Sequence, residues 1–260
     1  MIINIIKDIS WINELEKYNN DIINVHSNYT FPNSSYKPEK NEASPWFDPD
    51  KYRQAPLSRT YPNIAPEQSK AEYKLIFYLP NYVTLFLIKE LYKDRKDILI
   101  EDCGPGSGNL IFFLSKLGFT KFNVFDKFLQ CPKQLFIEMM QVDNIKYTLN
   151  NFLTKPTIAN NCSAPFVYIT YGLDKKFIFR SQAEASKMTP DVVELNLNRD
   201  VSSLELICFY TNRQWEEMAY KILKPQGYSF LCKDSDDMGV AWCRNDKLQE
   251  FKEKLKLYEC

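Results

Sequence analysis

The residues best placed to do chemistry lie in one short run, Asp102-Cys103-Gly104-Pro105-Gly106-Ser107-Gly108-Asn109. Three of the chain's seven glycines stand there at alternate positions. The apolar stretch Ile98-Leu99-Ile100 runs into it, and a helical pattern leaves it. Strand, glycine turn and helix in that order make a binding loop. Glycine lets the backbone turn with positive φ and lets a ligand approach the main chain closely. The helix start offers unpaired N–H groups and the positive end of the helix dipole. At the carboxyl end of a parallel strand, such a loop faces the crevice where open α/β sheets hold their ligands. Other chemistries are poorly served. The seven cysteines include no Cys-x-x-Cys pair, and His26 is the only histidine. A zinc site would have to be built from scattered carboxylates, so no metal is expected. A Ser-His-Asp or Cys-His site would have its only base far from every plausible nucleophile turn. Cys103 reads as a small buried filler and not as a nucleophile.

The glycine spacing separates two ligand classes. The dinucleotide fingerprint is G-x-G-x-x-G; here the third glycine, Gly108, falls one residue early. The run Asp102-x-Gly104-x-Gly106-x-Gly108 instead resembles the first motif of the class I, Rossmann-like S-adenosylmethionine-dependent methyltransferases. The resemblance covers residues 82–152 and 204–232. It implies S-adenosylmethionine as cofactor, held by Asp102, Gly104, Pro105, Gly106, Ser107 and Gly108. It further implies that Asp126, at the end of the second strand, accepts hydrogen bonds from the ribose hydroxyls. Asn151 would meet the adenine amino group, with Phe152 against the ring, and Tyr210 would pack against the cofactor. Two plainer roles stay open: Asp126 as a helix N-cap and Asn151 as a turn residue. Ile222-Leu223-Lys224-Pro225-Gln226-Gly227 resembles the family's helix and turn before its fifth strand.

The implied activity is methyl transfer to an unidentified acceptor. No residue stands out as a general base, so the catalytic residues stay unknown; Tyr210, Asn212 and Asp174 are candidates by position alone. The strand ending Phe209-Tyr210-Thr211-Asn212 lacks the Asp/Asn-Pro-Pro-aromatic motif and the Pro-Cys nucleophile of DNA base methylases. A small molecule or a protein is therefore favoured as acceptor over DNA bases. The alternative is a catalytically silent methyltransferase-like binding or assembly module. A dinucleotide-dependent oxidoreductase is disfavoured by the glycine spacing.

Around this loop the pattern is that of an α/β protein with a doubly wound, mostly parallel sheet of the class I methyltransferase type. Residues 2–18 suit a short helix, with Ile5, Ile9, Ile12 and Leu15 on one face. From residue 19 to 66 prolines and aromatics are dense, excluding a long helix or a central strand. Residues 1–66 therefore read as an N-terminal helix with an extended Pro/aromatic-rich arm packed on the domain. The alternative is a lid or substrate-selecting flap over the site, carrying Trp46, Phe47, Tyr52 and Tyr61, with Arg53 and Arg59 as its polar contacts. Residues 67–260 form the methyltransferase-like domain. Within it, a helix at 82–93, strands at 97–102, 122–125 and 147–152, and helices at 109–117 and 132–140 read β-α-β-α-β after the first helix. Residues 153–200 interrupt the rhythm as an insertion, with an expected β-hairpin of strands 166–171 and 176–180. A strand at 204–210, a helix at 213–223, a strand at 228–232 and a helix at 246–257 follow. Family sheets of this type usually end in an antiparallel pair. The far edge here is expected to be incomplete, rebuilt by residues 239–244, or completed by a protein partner or a second copy.

Composition bounds the rest. The 260 residues carry 33 Lys+Arg and 33 Asp+Glu, so there is no global field to attract nucleic acid, which is not indicated as a partner. Hydrophobic residues make up 45%, ample for a packed core without disulfides or metals. An odd cysteine count in a chain of this size fits a reduced, cytoplasmic setting. Met1–Ile6 is too short for a signal core, and the longest apolar stretch, residues 75–88, is too short and too interrupted to span a bilayer.

Overall fold

The computed structural model describes residues 1–5, 7–28, 82–103, 105, 108–126, 133–149, 165–169, 204–210, 220–234 and 240–260. Eight strands form one sheet: β1 (Ile2–Ile3), β2 (Leu99–Cys103), β3 (Lys121–Asp126), β4 (Ile145–Leu149), β5 (Pro165–Ile169), β6 (Leu206–Tyr210), β7 (Tyr228–Asp234) and β8 (Val240–Arg244). Their order across the sheet is β1-β7-β8-β6-β5-β2-β3-β4. The run β6-β5-β2-β3-β4 is wholly parallel. Strand β8 lies antiparallel between β6 and β7, and β1 adds to β7 in parallel.

The central position of β2 follows from its composition. Ile100 on this inner strand, flanked by β3 and β5, is buried, as is Ile98 just before it, as expected where helices cover both faces of a parallel sheet. Helix α3 (Tyr82–Leu91) buries Val83, Leu85, Phe86, Leu87, Ile88 and Leu91, apolar around nearly its whole circumference, the mark of a core helix. It packs against α4 (Asn109–Lys116) and α5 (Leu248–Leu255). The Lys254 ammonium on α5 donates to the Leu91 carbonyl at 2.8 Å, placing a cation at the C-terminus of α3.

Helix α4 ends in a Schellman closure. Gly118 has φ 89°, its N–H donates to the Ser115 carbonyl, and the Phe119 N–H donates to the Leu114 carbonyl. Between β3 and β4 the segment Lys133–Met139 is wound as a π-helix where a regular helix was expected. The hydrogen bond from Met140 N–H to the Leu135 carbonyl spans five residues.

Three expectations are corrected and one choice among alternatives is decided. The helix expected over residues 2–18 is divided: Ile2–Ile3 is strand β1, and helix α1 spans Ser10–Glu16. Two β-branched residues suit an edge strand, and the Asp8 carboxylate, accepting from Ser10 N–H, starts the helix later. The next ten residues are not arm but helix α2 (Asn19–Asn28), because the prolines begin only at Pro32. Residues 165–169 are not a hairpin strand of an insertion. They form β5, paired in parallel with β2 on one side and β6 on the other. In chain order the strand at 206–210 is therefore the fifth of the parallel run. The proposed hairpin turn, its second strand at 176–180 and the arm beyond residue 28 lie outside the described residues. Finally, of the three readings of the far edge, rebuilding by residues 239–244 is the one observed: β8 supplies the antiparallel partner of β7.

Beyond β8 the two ends of the chain meet. Asn4 N–H donates to the Tyr258 carbonyl at 2.8 Å and Cys260 N–H to the Ile2 carbonyl at 3.1 Å. Trp11 of α1 closes this corner. Its indole N–H donates to the Ile5 carbonyl, and its ring meets Phe86 edge-on at 5.4 Å. No helix among the described residues is long and apolar enough to cross a membrane.

Candidate functional site

The parallel run brings five strand ends level. Across the register, Cys103 at the end of β2 lies opposite Phe125 of β3 and Tyr168 of β5. Asp126, the last residue of β3, lies opposite Leu149, the last of β4. Ile169 of β5 lies opposite Tyr210, the last of β6. Chain order reverses at β2, because the next strand in sequence, β3, lies on one side of it and β5 on the other. Such a reversal opens a crevice at the carboxyl ends of the strands, where α/β sheets hold ligands. The Gly loop leaves β2 at this point.

Of the loop residues, Asp102, Pro105 and Gly108 can be placed. Asp102 is fully buried on β2 between Val124 and Val167 of the neighbouring strands. Pro105 is buried and its carbonyl accepts from Gly108 N–H at 2.9 Å, closing a four-residue turn. Gly108 has φ 80° and is the N-cap of α4, its carbonyl accepting from Phe112 N–H at 2.9 Å. That left-handed conformation is one that only glycine adopts freely. A β-carbon built there would lie 2.8 Å from Phe136 Cε1 and 3.0 Å from Met140 Cε. The third glycine of the motif therefore serves the packing of helix on helix as well as the turn.

Asp126 and Tyr210 are placed as strand-end residues flanking the crevice from β3 and β6. Gly104, Gly106, Ser107, Asn151 and Phe152 lie outside the described residues, as do Asp174 and Asn212.

Three residues at this end of the sheet went unremarked in the sequence. Glu101 is as fully buried as Asp102, and as its strand neighbour it faces the opposite side of the sheet. The signal was present, since two carboxylates interrupt an apolar strand. Phe136 and Met140 carried no such signal, because two apolar residues four apart fit any amphipathic helix.

Thiol chemistry is not supported at Cys208, Cys232 or Cys243 of the sheet. Cys208, Cys232 and Cys243 are buried, and burial pushes all three thiols up, that of Cys243 to about 12. They are protonated near neutrality and poor nucleophiles. Among the described residues no group of three or more His, Cys, Asp and Glu side chains is arranged to hold a metal ion.

By sequence the chain matches no family model and no curated protein. By structure it is similar to solved methyltransferases. Magnesium protoporphyrin IX methyltransferase from Synechocystis PCC 6803 with bound SAM shares 14% identity, with 78% of this chain and all (100%) of that chain covered and a TM-score of 0.41. Ribosomal protein L11 methylase from Lactobacillus delbrueckii subsp. bulgaricus shares 14% identity over 63% of this chain and 79% of that one, with a TM-score of 0.40. N-methyltransferase NodS from Bradyrhizobium japonicum WM9 shares 10% over 64% and 94%, with a TM-score of 0.37.

Proposed function

We propose that the chain is an S-adenosylmethionine-dependent methyltransferase acting on a small molecule or a protein. The observation that carries this reading is the Asp102–Gly108 loop. It leaves the carboxyl end of β2 where strand order reverses, with Asp126 at the adjacent strand end. The donor set suits the cofactor. A glycine turn running into a helix start presents main-chain N–H groups to a carboxylate or nucleoside. A carboxylate one strand away suits a pair of ribose hydroxyls. When bound, S-adenosylmethionine supplies a methyl group on a sulfonium, open to in-line displacement. What remains for the protein is alignment of the acceptor and exclusion of water. A base is needed only where the acceptor carries a proton at working pH. In this reading Gly104, Pro105, Gly106, Ser107 and Gly108 line the cofactor, Asp126 orients its ribose, Asn151 and Phe152 meet its adenine, and Tyr210 packs against it. An open far edge would have favoured a binding module, but β8 and β1 take up that edge.

The test is titration calorimetry of the full chain with S-adenosylmethionine and S-adenosylhomocysteine, with NAD and NADP as controls. Binding of the first two alone is expected. Equal or tighter binding of either dinucleotide overturns the proposal.

A further inference from the structure

Phe136 lies on the π-wound segment between β3 and β4, Met140 directly follows it, and both are fully buried. The segment closes with two wide hydrogen bonds, Met140 N–H to the Leu135 carbonyl at 2.9 Å and Val142 N–H to the Phe136 carbonyl at 2.8 Å. Gln141 makes the turn with φ 58°. A π turn holds one residue more than an α turn and is found disproportionately at functional sites. Its inner side here presses on Gly108, with 2.8 Å from the position of a β-carbon to the Phe136 ring. Gly108 joins the last turn of the Gly loop to the first turn of α4 through its own N–H and carbonyl. Glycine itself has no strong preference between the left- and right-handed basins. Gly118 and Gly227 take the same conformation with nothing within 4 Å of a β-carbon's place, so what distinguishes Gly108 is the packing behind it.

Resting on the methyltransferase reading of the Gly loop, we infer that Phe136 and Met140 are positioning residues for that loop. Their side chains fill the space behind Gly108 and fix where it sits, and this sets where α4 begins. Four residues apart, the two side chains reach one glycine. Without them Gly108 and the start of α4 are free to shift, and only part of the population is competent to bind.

The experiment uses the full chain with Phe136→Ala and the milder Phe136→Leu, and two measurements on each. The first is calorimetry with S-adenosylhomocysteine. The second is hydrogen exchange without ligand, read on peptides covering residues 104–116 and, for comparison, 228–244. Phe136→Ala is expected to weaken binding about tenfold, as when only a tenth of the molecules hold the competent loop. Its exchange should quicken over 104–116 and stay unchanged over 228–244, with Phe136→Leu falling between it and the parent. Parent-like binding together with parent-like exchange overturns the inference, and so does faster exchange everywhere, which marks mere loss of stability. If Phe136→Ala fails to fold, Phe136→Leu decides by the same two readings. If the parent binds no S-adenosylhomocysteine, the methyltransferase reading falls, while local quickening over 104–116 still upholds the positioning role.

Discussion

Substituting Gly108 by alanine separates two costs that glycine avoids, backbone strain and steric overlap. Three glycines have positive φ among the described residues: Gly108 at 80°, Gly118 at 89° and Gly227 at 84°. A left-handed conformation costs an L-residue about 1–2 kcal/mol. Part of that is offset, by about 0.4–1 kcal/mol, because alanine also restricts the unfolded chain. Nothing lies within 4 Å of an added β-carbon at Gly118 or Gly227. Gly118→Ala and Gly227→Ala should therefore each destabilise by only about 1 kcal/mol. At Gly108 the same β-carbon would sit 2.8 Å from Phe136 and 3.0 Å from Met140. The Phe136 ring has no exposed side into which to retreat. Overpacking of this kind adds about 1–3 kcal/mol. Urea unfolding followed by circular dichroism, with unchanged m-values, measures all three variants on one scale. Gly108→Ala should exceed the other two by the overlap alone, and should cost less when introduced into Met140→Ala and measured against that single variant. A loss at Gly108 within about 0.5 kcal/mol of that at Gly118 and Gly227 refutes the steric account.

Two further outcomes are expected. Asp126→Ala should weaken S-adenosylmethionine binding by about 1–3 kcal/mol in calorimetry, the value of charge-assisted hydrogen bonds to two hydroxyls; parent-like affinity in a folded variant would leave Asp126 as a cap only. Stability should fall on the alkaline side. The Cys243 thiol is pushed up to about 12 from an ordinary 9.0, and the Tyr258 phenol to about 12 from 10.0, both by burial. In the unfolded chain these groups lose their protons first. The stability they contribute is therefore complete below about pH 9 and is lost as pH rises toward their folded values. Thermal melts in reductant from neutrality to about pH 10.5 should show a declining Tm, less steep in Cys243→Ala; a level profile contradicts the burial of these groups.

The parallel core was legible because its signals are local. Ile98-Leu99-Ile100 before the glycine turn, and Gly118 after an apolar helix, mark β2 and α4 within a few residues of where they lie. What local signals cannot carry is the identity of a strand's partner. Residues 165–169 looked like half of a hairpin because a turn sequence, Gly172-Leu173-Asp174, follows at once. Their hydrogen bonds instead run to β2, more than sixty residues earlier, and to β6. The same holds for Ile2–Ile3, whose partner β7 lies near the other end of the chain. Two isoleucines set no helical or strand period, and only the exposed edge of β7 makes them a strand.

The site divides along the same line. The glycine spacing announced the loop, while the wall behind Gly108 was silent, since Phe136 and Met140 fit any amphipathic helix. Between these cases stand Glu101 and Asp102. Adjacent residues of a strand face opposite sides of the sheet, so β2 sends one carboxylate into each buried layer, and both are fully enclosed. Enclosed carboxylates are costly unless charge or hydrogen bonds compensate them. Glu101 and Asp102 both have partners within the chain, so the fold carries them where Ile100 on the same strand shows the apolar alternative. They stand immediately before the glycine loop, at the carboxyl end of the strand that carries it.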